Sequence, residues 1–373
     1  MRHLVIAFAA LTLAAPLSAQ GSVGTQGLGY PLGGLSGAAA GLAGANAEID
    51  PNSAVNPAAL TRSNRFSVML RFEPEFRDTR VGSLGSNASV MRFPAFQATG
   101  AYGKFVGSVG VTTMLDRTWR NQIFDSVLVD GTLYRSRLQS GSEGAVSDAR
   151  IALGYVVSQK LQVGLALHSL VGENRTLYSR TFDDTTGIIG IGQNNSFGYG
   201  GSALSFGVTA EPISGLVLAG SARVGQEMRL ELEGSELSTA TVPGRVGIGV
   251  TYFGIPGFTM YARLDQTRWS DLEGLASDSV SVFDATEISL GAEALGPKLF
   301  GANTVFRAGL RDRTLPFGVN GSAVTERGFA VGIGLPLSRG RSQIDIGGQR
   351  MARRTPGASE TAWLFSLGFG IRP

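Results

Sequence analysis

Residues 65–72 read RFSVMLRF, and this stretch decides the fold class of the chain. Phe66, Val68, Leu70 and Phe72 are apolar, and the residues between them fall on the opposite face of an extended chain. Alternation with a period of two residues is the pattern of a β-strand whose two faces meet different surroundings. The fold class therefore depends on which of the two faces lies against water.

The same alternation recurs along the chain as far as Ile371, in about fourteen segments, an even number as in single-chain bacterial barrels. Short connections such as SQK (158–160) and SRG (338–340) alternate with long ones. This is the layout of a membrane barrel, with tight turns at one end and large loops at the other. The long loops are predicted at Glu75–Arg92, Thr118–Ala145, Gly172–Gly200, Met228–Val242, Arg268–Phe283 and Arg313–Thr325.

The charged residues of these segments lie on the polar side of the alternation. An Arg or Lys facing lipid at mid-depth costs roughly 2–4 kcal/mol, so the polar side is predicted to face a wet lumen and the apolar side to face lipid. The fold class is predicted to be all-β, a transmembrane antiparallel β-barrel of about 14 strands. The predicted lumen charges are Arg65, Arg71, Arg150, Arg223, Arg245, Arg263, Asp265, Glu287, Glu293, Arg307, Arg311 and Asp345.

Composition agrees with an exported membrane protein. The chain has 373 residues, and its 16% of charged residues is low for a soluble domain. It has no cysteine, which removes disulfides and thiolate sites, and a net charge of +3 without a basic patch, which argues against nucleic-acid binding. Residues 1–19 match a signal peptide with cleavage after Ala19, and an N-terminal membrane anchor is the alternative.

Residues 20–62 precede the barrel, which is predicted to span residues 63–373. They are mostly Gly, Ala, Leu and Ser, and a short helix is expected within 33–47. A small, apolar segment with polar ends suits a lumen, where space is limited, so we expect a partly helical plug inside the barrel. A flexible tail is the alternative, but it would carry more charge.

The sequence NPAAL (56–60) forms the corner between this plug and the first strand. The Pro57 ring fixes its own φ near about −65° and biases Asn56 toward an extended conformation. The Asn56 side chain is then expected to close an Asx-type turn, and Ala58 stays small beside the wall. The expected ion pairs join Arg65 and Arg71 to Glu48 or Asp50.

The Gly/Ala-rich helix, the acidic turn AEIDPNSAV and the NPAAL corner resemble the N-terminal hatch of the FadL-type outer-membrane transporters. The resemblance implies a fourteen-stranded barrel in the bacterial outer membrane and passive uptake of hydrophobic compounds such as long-chain fatty acids. Asn56, Pro57 and Ala58 are the hatch-motif positions. The implied partners are a hydrophobic small molecule, the outer-membrane lipid and the barrel-assembly machinery, for a monomer without cofactor. The alternative is a barrel that does not transport and is a partner in protein secretion or surface attachment.

Catalytic residues and metal ligands are not expected. The only histidine after the signal peptide, His168, lies on the lumen side of the fifth strand. A hydrogen-bonded wall residue is favoured there, with a Ser–His or Asp–His pair across a neighbouring strand as the alternative. The acidic stretch FDDTTG (182–187) offers too few ligands for a calcium loop, and a solvated loop is favoured.

The connection after the fifth strand carries unusual apolar surface. A hydrophobic capture surface is one interpretation, and packing of the loops on one another is the other. The candidate capture residues are Phe182, Ile188, Ile189 and Ile191.

Overall fold

A computed structural model describes residues 22–63, 65–183, 187–276, 280–299, 302–319, 321–337 and 341–371. The predicted signal peptide and part of the acidic stretch, residues 184–186, lie outside the described residues. Fourteen strands form one closed antiparallel barrel, which confirms the predicted fold class. These strands are β1 (Ser67–Val81), β2 (Leu84–Tyr102), β3 (Phe105–Asp116), β4 (Thr132–Ser158), β5 (Leu161–Phe182), β6 (Ile191–Ile213), β7 (Leu216–Leu232), β8 (Gly244–Ile255), β9 (Phe258–Arg268), β10 (Ala285–Leu299), β11 (Ala302–Val319), β12 (Ser322–Leu337), β13 (Ser342–Thr355) and β14 (Ala358–Ile371).

Each barrel strand pairs with its neighbour in the chain, and β14 closes the barrel on β1, with Gly368 opposite Arg71. Three further strands attach to this wall. Tyr30–Pro31 pairs with β3 from inside the lumen, Trp119–Val129 forms a hairpin with the start of β4, and Ser235–Thr241 pairs with β7. Within the described parts of the chain, no helix is both long and apolar enough to cross a membrane.

The predicted long loops are wrong for most of their length, because the strands continue through them. The connection between β1 and β2 shrinks to residues 82–83, and β5 reaches Phe182 before a short break. Only Arg268–Phe283 stays mainly outside strands, and part of it forms a 3-10 helix, Trp269–Leu275. The strands rise beyond the region where one face meets lipid, so the backbone pairing continues where the hydrophobic alternation has ended.

The two faces of the wall follow the predicted alternation. On β5, Leu165 and Leu167 are exposed on the outer side, whereas Ala166 and His168 are buried on the inner side. Arg65 is an exception among the predicted lumen charges, since it precedes β1 and is exposed to solvent.

Residues 22–62 lie inside the barrel and are mostly buried. They contain a short helix, α1 (Gly37–Gly41), and two 3-10 helices, Val23–Thr25 and Pro57–Arg62. Ser36 caps α1, with its side chain accepting a hydrogen bond from the Ala39 backbone N–H at 3.1 Å. We call residues 22–62 the hatch.

Glycines on the inner face of the wall make room for the hatch. A Cβ at Gly37 of α1 would lie 2.7 Å from the Cα of Gly368 on β14. A Cβ at Gly164 or Gly207 would overlap the backbone or side chains of residues 56–58. The hatch therefore packs directly against the backbone of the wall, and the small residues on both sides allow this close approach.

Candidate functional site: the hatch, the luminal chamber and the apolar cluster

A chamber of about 110 Å³ lies between the hatch and the wall. Hatch residues Pro31–Leu35 line one side of it, and side chains from strands β3 to β11 line the other. Cationic groups outnumber carboxylates along this surface. The charged lining residues are Arg223, Arg245, Arg263, Arg311, Arg313, Asp148, Asp265 and Glu287. Four of the predicted lumen arginines therefore face one enclosed space.

Glu48 is the central acidic contact from the hatch to the wall. It is 1% exposed, forms ion pairs with Arg245 and Arg263, and accepts a 2.8 Å hydrogen bond from Ser221. Burial would raise the pKa of Glu48, but Arg245 and Arg263, with the hydrogen bonds from Ser221 and Arg245, hold it below the usual 4.5. The carboxylate is therefore ionised at neutral pH and attaches the hatch to β8 and β9.

The predicted ion pairs of Arg65 and Arg71 with Glu48 or Asp50 are wrong. Asp50 accepts hydrogen bonds from Ser36 and Ser53 within the hatch, at 2.5 and 2.6 Å. Arg71 forms an ion pair with Glu73 on its own strand and donates to the Leu35 carbonyl at 3.0 Å. Sequence neighbours are not spatial neighbours here, because Glu48 lies across the lumen from β1.

Tyr30 is a second attachment point, which sequence reasoning missed. Its hydroxyl donates to Glu326 at 2.8 Å and accepts from Arg313 at 2.6 Å. The Arg353 guanidinium lies over the Tyr30 ring, 4.3 Å from its centroid. Glu326 and Arg353 are fully buried and form an ion pair with each other at 2.7 Å, so the tyrosine is surrounded by buried, paired charges. A lone tyrosine among glycines gave no sequence signal for this role.

Asn56 holds the corner between hatch and wall. Its side-chain oxygen accepts from the Ala58 backbone N–H at 2.9 Å, which is the predicted Asx-type turn. Its side-chain nitrogen donates to the Glu48 carbonyl at 2.9 Å and to the Val208 carbonyl of β6 at 3.3 Å. Pro57 and Ala58 follow at the start of the 3-10 helix and are buried. One amide group thus joins two parts of the hatch to the wall.

The other predicted lumen charges pair along the inner wall. Arg263 contacts Glu287 at 2.7 Å and Asp265 at 2.9 Å, and Arg307 contacts Asp345 at 2.6 Å and Glu293 at 2.9 Å. Arg311 contacts Glu326 at 3.1 Å. Arg223 donates from Nε to the Pro243 carbonyl at 3.1 Å.

Arg150 is different from these. All three of its guanidinium nitrogens are buried and have no hydrogen-bond partner among the residues that the structure describes.

His168 lies between two polar side chains of the neighbouring strands. Its Nδ1 is 2.9 Å from both carboxylate oxygens of Asp148 on β4, and its Nε2 is 2.8 Å from Ser205 Oγ on β6. All three residues are buried and line the chamber. The predicted wall histidine is hydrogen-bonded on both sides, by residues that sequence reasoning did not single out.

An apolar cluster fills the lumen beside the chamber. Trp269, Leu272 and Leu275 of the 3-10 helix are buried in the same apolar cluster as Leu28 of the hatch. The cluster continues through Val242, which precedes β8, and through residues of the strands: Met114, Leu115, Val146, Leu170, Tyr199, Ala203, Met228, Leu230 and Phe317. Met114 and Trp269 also line the chamber, so apolar and charged surfaces meet there.

The four candidate capture residues lie where β5 ends and β6 begins, at the end of the barrel that also holds the turn between β1 and β2. Phe182 and Ile188 are half-buried, whereas Ile191 is exposed and Ile189 is 89% exposed. They do not line the chamber. No group of three His, Asp or Glu side chains suited to a metal ion is present within the described ranges.

Solved structures with the same architecture are known. A FadL homologue from Pseudomonas aeruginosa superposes with a TM-score of 0.62 at 11% identity, over 92% of this chain and 99% of the homologue. This chain has the FadL-type fold.

Two further structures with the FadL-type fold carry descriptive names. CymD, a monoaromatic hydrocarbon channel, superposes with a TM-score of 0.58 at 13% identity, over 92% of this chain and 98% of CymD. The Ralstonia pickettii toluene transporter TbuX gives 0.57 at 13% identity, over 91% of this chain and 99% of TbuX. No protein-family model and no curated protein sequence matches the chain.

Proposed function

We propose that this protein is an outer-membrane channel for passive uptake of hydrophobic compounds, such as long-chain fatty acids. The observation that carries the proposal is the apolar cluster inside an otherwise charged lumen, joined to a chamber that the hatch closes. A pore for polar solutes is expected to have a polar lining, without a cluster of Trp, Leu and Met side chains inside the lumen. The FadL-type fold, which CymD and TbuX share, supports the same reading.

The proposed route begins at the exposed apolar residues around Ile189 and passes through the apolar cluster into the chamber. From there the ligand leaves past the hatch, which has to shift. The hatch is held by hydrogen bonds, ion pairs and glycine contacts, and the chain contains no cysteine for a covalent link. These non-covalent contacts can break and form again, so the hatch can move reversibly. The protein would act as a monomer in lipid after insertion by the barrel-assembly machinery.

Uptake is tested in proteoliposomes with radiolabelled toluene and a labelled long-chain fatty acid. A lock for the hatch can be built from Ala45→Cys and Gly291→Cys, because the Ala45 Cβ lies 2.9 Å from the position of a Cβ at Gly291. A disulfide needs Cβ atoms about 3.5–4.5 Å apart, so a small adjustment suffices. The same double variant after reduction is the matched control.

We expect uptake by the unaltered protein above that of empty liposomes, loss of uptake in the oxidised variant, and recovery on reduction. Equal uptake in both redox states would contradict a moving hatch. Absence of uptake of either compound by the unaltered protein, together with a co-purifying protein, would favour the alternative role in secretion or surface attachment.

A further inference from the structure

Asp148, His168 and Ser205 stand side by side on three adjacent strands, β4, β5 and β6, and face the same chamber. A carboxylate can only accept hydrogen bonds, so the proton of the neutral imidazole lies on Nδ1, toward Asp148. Nε2 is then an acceptor, and the Ser205 hydroxyl donates to it across 2.8 Å. A hydroxyl bonded to a base that is oriented by a third group is the arrangement of an activated nucleophile.

We propose that Ser205, His168 and Asp148 form an acyl-transfer site that hydrolyses small hydrophobic esters inside the chamber. The distances of 2.8 and 2.9 Å are within the range for a nucleophile, its base and the residue that orients the base. Ser205 and His168 are the catalytic residues, and Asp148 is a positioning residue.

Charge around the site suits the reaction. Arg223 lies opposite Ser205 in the β6–β7 pairing, Arg245 lies opposite Arg223 in the next pairing, and both arginines line the chamber. Guanidinium groups next to the nucleophile can stabilise the oxyanion that forms during acyl transfer.

The shape of the surroundings sets the substrate class. A chamber of about 110 Å³ admits a short acyl group, and the adjoining Met114 and Trp269 side chains favour an apolar alcohol portion. The expected substrate is therefore an uncharged ester with a short acyl chain.

The reaction balances with water as the only co-reactant. A bond forms between Ser205 Oγ and the ester carbonyl carbon, while the serine proton moves to His168 Nε2 and the carbonyl π electrons move to oxygen. The C–O bond to the alcohol then breaks, and the alcohol leaves with the proton from His168. Water repeats the attack on the acyl-serine, releases the carboxylic acid and restores the serine.

The first test uses the unaltered full-length protein in detergent with p-nitrophenyl acetate and a small alkyl fluorophosphonate. We expect release of p-nitrophenolate and one fluorophosphonate adduct, located on Ser205 by peptide mass spectrometry. A protein that neither forms this adduct nor releases p-nitrophenolate faster than detergent alone would overturn the proposal. This result does not depend on any variant folding.

The second test compares variants whose folding is checked by heat-dependent gel migration. Ser205→Ala and His168→Asn should each lower kcat by about 100-fold or more. Asp148→Asn should lower kcat with little change in KM, because it disturbs the tautomer of His168 rather than binding. The matched control is Ser108→Ala, which removes another buried serine hydroxyl from the inner wall, on β3. Folded Ser205→Ala with the same rate as Ser108→Ala would refute the site.

This proposal is independent of transport. Toluene carries no ester group, so toluene uptake by the unaltered protein reports on the proposed function alone. Ester cleavage by the same preparation reports on the acyl-transfer site alone.

Discussion

At the scale of single residues, a few buried polar side chains attach the hatch to the wall. Glu48 bonds to three residues of the wall, and Asn56 joins the Glu48 carbonyl to β6. Removing one partner of a buried ion pair costs about 3–5 kcal/mol, because the remaining charge stays buried and uncompensated. Removing the Glu48 carboxylate would destabilise the closed state of the hatch. It would not unfold the barrel, because the barrel strands pair without Glu48.

Glu48→Gln is therefore expected to loosen the hatch at neutral pH and to raise conductance in planar bilayers. The unaltered protein should loosen only in acid. Its Glu48 pKa is lower in the closed state than the usual 4.5, so the stabilisation is complete above 4.5 and is lost as the pH falls through the lower, closed-state value. A variant whose conductance equals that of the unaltered protein at both neutral and acidic pH would contradict this role.

The residue scale was also where sequence reasoning was least complete. The Asn56 turn could be predicted because it is local, with donor and acceptor two residues apart. The partners of Glu48 and Tyr30 could not, since Arg245 and Glu326 are far away in the chain and are brought close only by the curvature of the barrel. Asp148 and Ser205 were missed for another reason: they lie on the strands paired directly with β5, but the register of that pairing could not be read from the sequence.

At the scale of elements, the fit between hatch and wall is set by where the wall lacks side chains. The Pro57–Arg62 helix packs against Gly154, Gly164 and Gly207 on β4, β5 and β6. Alternation predicted these strands but not how closely the hatch approaches each of them. An inward glycine and an inward serine give the same alternation, although only the glycine leaves room for the hatch backbone. The long loops were mistaken for the related reason that paired strands outside the lipid need no alternation.

Gly207→Ala should displace the hatch corner without disturbing β6, since its Cβ would overlap Asn56 Oδ1 and approach the Pro57 ring to 2.9 Å. Gly200→Ala on the same strand is the matched control, because a Cβ there meets nothing within 4 Å. We expect faster proteolysis within the hatch in Gly207→Ala and no change in Gly200→Ala. Equal protection of the hatch in both variants would mean that the close contact is not needed.

At the scale of the whole molecule, the lumen-facing and lipid-facing sides of the wall could be read from sequence with few errors. The positions of the charged residues in the alternation identified the inner face. The prediction for Arg65 was wrong because this residue lies before the first strand. The apolar cluster inside the lumen was not predicted. Some of its wall residues, such as Met114, Val146 and Leu170, share the parity of the charges, and the rule assigns that side to polar groups. Trp269, Leu272 and Leu275 lie in a 3-10 helix outside the strands, where alternation gives no prediction. Met228 and Leu230 follow a register shift in the pairing of β6 with β7 that alternation does not show. The exception coincides with the proposed route for hydrophobic compounds.

A charge on the outer face should separate lipid-covered from water-covered wall. Leu165→Arg on β5 is expected to lower the free energy of unfolding in lipid vesicles by roughly 2–4 kcal/mol, as for Arg near the bilayer midplane. Leu133→Arg, in the hairpin that extends beyond the barrel, should cost no more than about 1 kcal/mol. Urea titration followed by tryptophan fluorescence measures both. Equal losses would place the two positions in the same medium and contradict the assignment.

The pairing of β14 with β1 has a consequence for the order of events during biogenesis. The hatch precedes the barrel in the chain and is synthesised before it, yet Tyr30 bonds to Glu326, and the barrel closes only when Gly368 pairs with Arg71. Contacts between such distant positions have a large loop-closure entropy and form slowly. The hatch can therefore form its contacts with the wall only after nearly the whole chain has been synthesised. The hatch has few charged side chains and many glycines and alanines. During that delay it therefore has few groups that could form non-native contacts with other parts of the chain.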